Sequence, residues 1–141
     1  MRATQTSAPP SVDIKPQTTT NDQVLNVQVV KVHDGDTFSV NIRDWPPIVG
    51  LNMPIRIHGI DTPEMNSIDA KLKSLAIQAR DYVKNRINTA KKIELRNITR
   101  DKYFRLDADV YIDNTNIASE LIAKGLAKPY TGGTKNPWHA N

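Results

Sequence analysis

The sequence contains no cysteine, and that absence excludes several kinds of site at once. Without thiols the chain cannot form disulfide bonds, bind a metal through thiolates or use a cysteine nucleophile. It also has no apolar run that approaches the length of about 18 residues required to span a membrane. Ala3 to Pro10 are polar, so no signal peptide is expected there. The sequence therefore argues against proteins that depend on disulfide bonds, on thiol chemistry or on a membrane-spanning helix.

Residues 1–22 contain no aromatic residue and are rich in Thr, Gln, Ser and Pro. Such a segment buries too little apolar surface to offset the entropy of ordering, which predicts a disordered tail or linker before a domain at residues 23–141. The tail resembles a spacer that follows a removed signal or anchor, and this favours an exported protein, secreted or periplasmic. The +4 net charge belongs entirely to the remainder, because the tail is neutral. It favours anionic partners, nucleic acid first and acidic membrane second.

Five β-strands are predicted from period-two alternation of apolar residues, near residues 24–32, 37–42, 53–58, 92–98 and 105–112. Within the first, Val29-Val30 breaks the alternation and indicates a β-bulge where a curved sheet bends. Pro46, Pro47 and Gly50 predict that residues 43–52 are a hairpin loop.

Two helices interrupt or follow these strands. Apolar residues at spacings of three and four, beginning with Ile68, predict a long helix over residues 67–88 with Ser67 as N-cap. Asn116 is expected to cap a short helix that ends at Gly125 and buries Ile117, Leu121 and Ile122. Strands that do not alternate with helices favour an α+β fold. The prediction is a five-stranded, partly open OB-fold barrel, with the long helix after strand three and the short one after strand five.

The first cluster that can carry chemistry is Asp34-Gly35-Asp36-Thr37. As structure alone, it is a hairpin turn in which Asp34 is the turn residue. As a site, it places Asp36 at the mouth of the barrel as a hard-oxygen metal ligand.

The second cluster follows the third strand. Arg56 alternates with the isoleucines of that strand, and Pro63 ends the segment that carries Asp61, Thr62 and Glu64. The structural alternative is a turn with solvated charges. The functional interpretation joins Asp61 and the Thr62 carbonyl to Asp36 on a Ca²⁺ ion, with Glu64 accepting a proton from water and Arg56 binding phosphate.

The third cluster is Asp101-Lys102-Tyr103-Phe104-Arg105, before the fifth strand. It is either a polar turn closing the barrel, or the source of a second guanidinium, Arg105, with Tyr103 contacting a nucleotide. The three histidines lie at unrelated positions, and none is assigned to a metal: His33, His58 and His139.

These clusters together resemble the thermonuclease family, the staphylococcal nuclease-like enzymes. The matching motifs are Asp-Gly-Asp-Thr at 34–37, Arg-x-x-x-x-Asp-Thr-Pro-Glu at 56–64, Asp-Lys-Tyr-x-Arg at 101–105 and Gly-Leu-Ala-Lys at 125–128. They occur in order and in matching strand context, over about Val24 to Trp138. The end of the chain is most similar to small bacterial and plasmid-borne members.

The resemblance implies an OB-fold barrel and Ca²⁺-dependent hydrolysis of DNA and RNA, as single strands or frayed duplex, that leaves 3′-phosphate ends. It assigns roles as follows: Asp36, Asp61 and the Thr62 carbonyl to the metal, Glu64 to the general base, Arg56 and Arg105 to the scissile phosphate, and Lys102 and Tyr103 to the nucleotide. A monomer is expected by default.

Three departures from the family concern substrate preference. The loop after Glu64 is short, the long final helix is missing, and the aromatic pair that stacks on a base has only a near match in Tyr130. Two other classes stay open. One is a nucleic-acid-binding barrel that does not cut. The other is a Ca²⁺-stabilised scaffold, which would leave Arg56 and Arg105 unexplained.

Overall fold

A computed structural model of the chain describes residues 24–101, 103–131 and 138. The elements within those ranges are β1 (Leu25–Asn26), β2 (Gln28–Asp34), β3 (Thr37–Asn41), α1 (Pro47–Gly50), β4 (Met53–Ile57), β5 (Ile60–Asp61), α2 (Ala70–Asn88), β6 (Ile93–Asp101), β7 (Arg105–Ile112), β8 (Thr115–Asn116), α3 (Ile117–Ala123) and β9 (Lys128–Pro129). The predicted tail, its boundary with the domain, and Lys102 lie outside the described residues.

The sheet is curled because its two ends are consecutive parts of the chain. Its strand order is β1-β6-β7-β4-β3-β2, so β1 pairs with β6 while β2 pairs with β3. Only Val27 separates β1 from β2, and its amide still bonds to the Ile93 carbonyl. The predicted OB-fold-like α+β architecture is confirmed.

The valine-rich first strand bends where the sequence predicts. The register of β2 against β3 shifts between Val29 and Lys31, which leaves Val30 as the bulged residue. A bulge increases local twist and lets a sheet turn a corner. The predicted bulge is therefore present, and it contributes to the curvature of the sheet.

The core lies inside the curled sheet and is closed by two helices. Strand β7 shows the pattern most clearly: its residues alternate between buried and half-buried along the whole strand. The side chains that are fully buried come from β3, β4, β5, β6, β7, α2 and α3, and the largest are Phe38, Ile55, Ile57, Ile60, Leu95, Ile98, Ile112, Ile117 and Leu121. Helix α2 contributes small residues, which lets it lie close to β2.

Helix α2 begins later than predicted, and its cap is Asp69 rather than Ser67. The Asp69 carboxylate accepts hydrogen bonds from the Lys71 and Leu72 amides, whereas the Ser67 hydroxyl accepts one from the Asp69 amide. An aspartate that satisfies two N-terminal amides is a strong N-cap. Ile68, which the sequence places on the apolar stripe, precedes the helix and is fully exposed.

Helix α3 has its predicted cap, since the Asn116 side chain accepts a hydrogen bond from the Ala118 amide. It ends before Gly125, whose φ of +71° is the left-handed conformation typical of a helix end. Ile117 and Leu121 are buried as predicted, but Ile122 is exposed. No helix in the described part of the chain is long and apolar enough to cross a membrane.

The predicted loop at residues 43–52 contains the short helix α1. Pro47 occupies its first turn, where the missing amide hydrogen does no harm. A Cβ on Gly50 would come within 2.7 Å of the Ile42 carbonyl oxygen, so glycine permits this tight return of the chain.

Candidate active site

The turn between β2 and β3 positions two aspartates by local hydrogen bonds. The Asp36 amide donates to Asp34 Oδ1 at 3.1 Å, and the Thr37 hydroxyl donates to Asp36 Oδ1 at 3.1 Å. Aspartate favours such turns because its side chain bonds to the backbone two residues later. The turn therefore sets the direction of the Asp36 carboxylate before any long-range contact is made.

Gly35 lets this turn lie directly against the rest of the site. A Cβ at this position would come within 2.7 Å of Ala79 Cβ on α2 and within 2.9 Å of Thr62 Cγ2. The close approach lets the Thr62 amide donate a hydrogen bond to Asp36 Oδ2 at 3.2 Å. The glycine is thus required by space and brings the first two motifs together.

Arg56 is held in place by backbone carbonyls and is only 7% exposed. Its Nη1 donates to the Ile57 carbonyl at 2.9 Å and its Nη2 donates to the Ile60 carbonyl at 2.7 Å. Between these residues the chain reverses at Gly59, where φ is +87°. The reversal covers the side of β4 that carries Arg56, so residues on both sides of this strand are buried. Nη1 also lies 3.5 Å from Asp36 Oδ2.

A cavity of about 160 Å³ brings most of the predicted residues together. Its lining is formed by Asp34, Asp36, Thr37, Arg56, Thr62, Pro63, Glu64 and Arg105. Residues from four separate segments thus converge on one polar space, and acidic and basic side chains face it together. Glu64 is exposed at this site while Asp36 and Thr62 are buried.

The two aspartates of the first turn titrate differently. Burial raises the pKa of Asp34 to about 7, and the hydrogen bond with the Asp36 side chain and the negative charge of that neighbour act in the same direction, against the lowering effect of the Asp36 amide. Burial also acts to raise the pKa of Asp36. The hydrogen bond with Asp34, the charge of Arg56 and the Thr62 amide outweigh that effect and hold this pKa below its ordinary value. Asp36 is therefore the carboxylate that stays ionised.

Asp61 lies beside the cavity but does not contribute to its lining. It is 3% exposed, and its strand β5 pairs with β9, where Asp61 is opposite Lys128. Its Oδ2 accepts a hydrogen bond from Trp138 Nε1 at 3.1 Å. The predicted sharing of one cation by Asp36 and Asp61 stays a prediction.

The donor atoms in the cavity suit a hard cation. The lining residues carry the carboxylates of Asp34, Asp36 and Glu64 and the hydroxyls of Thr37 and Thr62, and such hard oxygen ligands are those that Ca²⁺ and Mg²⁺ prefer. Among the described residues, no group of three or more histidine, aspartate or glutamate side chains is close enough to enclose a metal ion. The protein oxygens therefore fit a cation that also binds water and substrate oxygens, rather than one held by a closed protein cage.

The turn before β7 brings an aromatic side chain to Arg105. The Tyr103 ring is 65% exposed, and its centroid lies 5.2 Å from Arg105 Cζ. This distance is within the range of a cation–π contact. Tyr103 therefore lies beside Arg105, which lines the cavity.

Asp34 and Trp138 lie at the site although the sequence assigned them no role in it, and Tyr130, named only as a near match to a base-stacking aromatic residue, lies there too. The spacing of Asp34 and Asp36 within one turn is a signal that two carboxylates lie together, but the turn explains Asp34 equally well. The Tyr130 ring centroid lies 6.0 Å from Arg56 Cζ, and the Tyr130 amide donates to the Gly59 carbonyl at 2.9 Å. Only the pairing of β5 with β9 brings this late segment to Arg56.

Comparison with known proteins agrees with this geometry. Residues 54–140 match the sequence profile of the family described as Staphylococcal nuclease homologue. The matched stretch includes Arg56, Asp61, Glu64 and Arg105, while Asp36 precedes it.

Three curated relatives have similar sequences. Endonuclease YncB of Bacillus subtilis (strain 168) is 29% identical over 115 residues, which cover 80% of this chain and 52% of that protein. Thermonuclease of Staphylococcus hyicus is 28% identical over 102 residues, covering 72% and 57%. The SPbeta prophage-derived endonuclease YokF of Bacillus subtilis (strain 168) is 30% identical over 108 residues, covering 75% and 34%.

The chain spans about half the length of the curated relatives it matches, so the comparison concerns this domain. The profile covers well over half of the chain, with most of β4, all of β5 to β9, and five of the eight residues that line the cavity. This chain therefore belongs to the staphylococcal nuclease homologue family.

Proposed function

We propose that this chain is a metal-dependent nuclease that hydrolyses phosphodiester bonds of DNA and RNA with little sequence specificity. The observation that carries the proposal is the single cavity lined by Asp36, Arg56, Glu64 and Arg105. It combines an acidic group suited to a cation, a possible proton acceptor and two guanidinium groups suited to a phosphate. Relatives named endonuclease and thermonuclease support this reaction class.

The two arginines bind the phosphate and offset its growing negative charge. Arg56 uses two of its five N–H groups on backbone carbonyls and pairs through Nη1 with Asp36, and the donors that remain are proposed to bind phosphate oxygens. Because it is already fixed by those bonds, it loses little freedom when substrate binds. Arg105 adds a second guanidinium from a different strand, so the phosphate is held between two cations.

Glu64 orients the attacking water and accepts its proton. The water oxygen forms a bond to phosphorus, the bond from phosphorus to the 5′ oxygen breaks, and the leaving 5′ oxygen takes a proton. The products are a 3′-phosphate and a 5′-hydroxyl end. Glu64 suits this role because it is exposed at the cavity, where water can reach it.

Asp36 would hold the cation, with the Thr62 carbonyl and Asp61 as the further ligands. When bound, Ca²⁺ supplies positive charge beside a phosphate oxygen and the attacking water. Asp36 suits this role because its low pKa keeps it ionised. The neighbouring Thr62 amide and Thr37 hydroxyl fix the direction of its two oxygens.

The substrate is expected to contact the outer edge of the cavity through Tyr103, and through Lys102, which lies outside the described residues. Contacts to phosphate and stacking carry no base code, which accounts for the proposed lack of sequence specificity. We also propose that the protein acts as a monomer outside the bacterial cell. Size-exclusion chromatography with light scattering and fractionation of the producing cell test these two points.

The deciding experiment is digestion of supercoiled plasmid and of a labelled RNA by the purified chain, with added Ca²⁺ and with EDTA. We expect both substrates to be cut with Ca²⁺ and to stay intact with EDTA. End-labelling of the products distinguishes 3′-phosphate from 5′-phosphate ends. Full activity in EDTA contradicts the metal requirement.

Two variants test whether cleavage depends on the cavity, and a binding assay on the wild type separates cutting from binding. Arg56→Gln is expected to abolish cleavage, while Lys84→Gln removes an exposed positive charge from α2, away from the cavity, and is expected to cut normally. A wild-type chain that retards the nucleic acid in a gel but cuts neither substrate would be a binding module, and the nuclease proposal would be wrong.

A further inference from the structure

The turn between β6 and β7 carries a second aromatic residue with no role so far. Asp101 pairs with Arg105, so the turn consists of three residues and ends with Phe104. Phe104 is 65% exposed, as is its neighbour Tyr103. A large apolar side chain is thus presented to solvent in the turn that leads into β7.

The backbone conformation of Phe104 is unusual for a bulky residue. Its φ is +55°, in the left-handed region. The last position of a three-residue hairpin turn requires this conformation and is usually glycine. In the described part of the chain, the other non-glycine residues with positive φ are all asparagine or aspartate: Asn52, Asn97, Asp113 and Asn114. Asparagine and aspartate tolerate the left-handed region, whereas a bulky residue such as phenylalanine adopts it only at an energetic cost.

Burial does not offset this unfavourable conformation, because most of the ring is exposed. A residue that is both strained and exposed gains nothing for stability at its position, and such residues cluster at binding sites. The next residue, Arg105, lines the cavity. Phe104 therefore directly precedes, in the chain, the arginine whose guanidinium is proposed to bind phosphate.

We propose that Phe104 is a base-stacking residue that binds the nucleobase adjoining the phosphate held in the cavity. This rests on the nuclease function proposed above, and it names single-stranded nucleic acid as the form that binds. Exposed aromatic rings beside a basic groove are the platform on which single-stranded bases stack, and every base has a face that suits them. A base paired and stacked within a duplex does not present that face, so the ring selects unpaired strands.

The test is equilibrium binding of fluorescent hexathymidylate, followed by anisotropy in EDTA so that the strand stays intact. A hexamer of abasic residues with the same number of phosphates is measured in parallel. Phe104→Gly should raise the Kd for hexathymidylate by about fivefold or more, the equivalent of one lost stack. The Kd for the abasic strand should change by less than about twofold, since the phosphate contacts are the same.

Three further variants control for side effects. Phe104→Tyr keeps the ring and should bind hexathymidylate like the wild type, whereas Phe104→Leu keeps apolar bulk without a flat face and should bind weakly. Ile122→Ala, on α3, changes an exposed apolar residue outside the cavity lining and should bind normally. The melting temperature of Phe104→Gly should not fall, because glycine adopts the positive φ without strain.

Equal losses of affinity for both strands, unchanged binding by Phe104→Gly, or no binding of hexathymidylate by the wild type would each overturn the stacking role. The plasmid and RNA digests decide the nuclease function separately. A wild-type chain that fails to cut but shows the base-dependent loss would retain the stacking residue and refute the nuclease. If the wild-type chain cuts and Phe104→Gly shows no base-dependent loss of affinity, the nuclease function is supported and the stacking role is refuted.

Discussion

Of the charged residues that line the cavity, Glu64 is the exposed one, so its charge can be removed with little effect on the fold. Its side chain is exposed, so Glu64→Gln should leave the melting temperature unchanged. Turnover should fall by about 10²- to 10⁴-fold, the usual contribution of a general base. Steady-state kinetics on single-stranded DNA, with circular dichroism as the control for folding, measures both. Wild-type turnover in this variant would remove Glu64 from the chemistry.

Gly35 is expected to be the most sensitive position of the first turn. Gly35→Ala places a methyl group within 2.7 Å of Ala79 Cβ, and we expect a loss of about 1–3 kcal/mol in the free energy of unfolding. Urea denaturation measures it. In an Ala79→Gly background the same substitution should cost less, because one of the two crowded contacts is gone. Equal costs in both backgrounds would show that the contact with α2 is not the cause.

Among the elements, α2 and α3 are joined by one ionic cluster. Arg86 on α2 donates through Nε to Glu120 Oε1 and through Nη2 to Glu120 Oε2, at 2.8 and 2.9 Å, and the Tyr82 hydroxyl also donates to Glu120. The hydrogen bond from Arg86, above all, lowers the pKa of Glu120, and the same bond raises the pKa of Arg86. Arg86 Nη2 also reaches the Ile112 carbonyl of β7 at 3.3 Å, so the cluster connects both helices to the sheet.

The lowered pKa of Glu120 makes this cluster dependent on pH. The folded-state pKa is below the ordinary value of 4.5, so its stabilisation is complete above that value and is lost as the pH falls through the folded-state pKa. At pH 7, Glu120→Gln should lower the free energy of unfolding by about 1–3 kcal/mol, as expected for hydrogen bonds to a charged group. The difference from wild type should shrink toward pH 3, and a constant difference would contradict the assignment.

The elements were predictable from sequence where their own residues determine them. The alternation in β7, the bulge at Val30 and the cap at Asn116 are local properties, and each is present. The start of α2 was not predictable in this way, because Ser67 and Asp69 are both good caps and only hydrogen-bond geometry selects between them. Helix α1 was missed because two prolines in succession favour a loop as strongly as a helix start.

The residues of the candidate site likewise divide into those that short motifs predict and those that only the fold brings together. Its charged residues lie in short motifs, so Asp36, Arg56, Glu64 and Arg105 could be proposed before the fold was known. Tyr130 could be named only as a near match to a base-stacking aromatic residue, and its position beside Arg56 could not be predicted, because it depends on the pairing of β5 with β9, two strands of two residues each. Strands of two residues are too short to show the alternation of apolar and polar residues from which a strand is predicted.

For the chain as a whole, the net charge of +4 bears on nucleic-acid binding through salt. Each phosphate neutralised on a single strand contributes about −0.7 to the slope of log K against log salt concentration. Arg105→Gln should therefore reduce the steepness of the slope for hexathymidylate by about 0.7. Lys84→Gln, with the same change in net charge, should leave it unaltered. If both variants reduce the slope equally, net charge and not the cavity governs binding.

The junction at Val27 also bears on how the protein is made. Leu25 pairs with Leu95, and Asn26 pairs with Glu94, so β1 leaves the ribosome well before β6, the strand that covers its edge. Until then the nascent chain holds β2 and β3 together as a hairpin but has an open barrel and an exposed interior. Contacts between such distant residues slow folding. Because β7 joins β6 to β4, synthesis of β7 is the step at which the newly made domain first becomes able to close and to resist proteolysis.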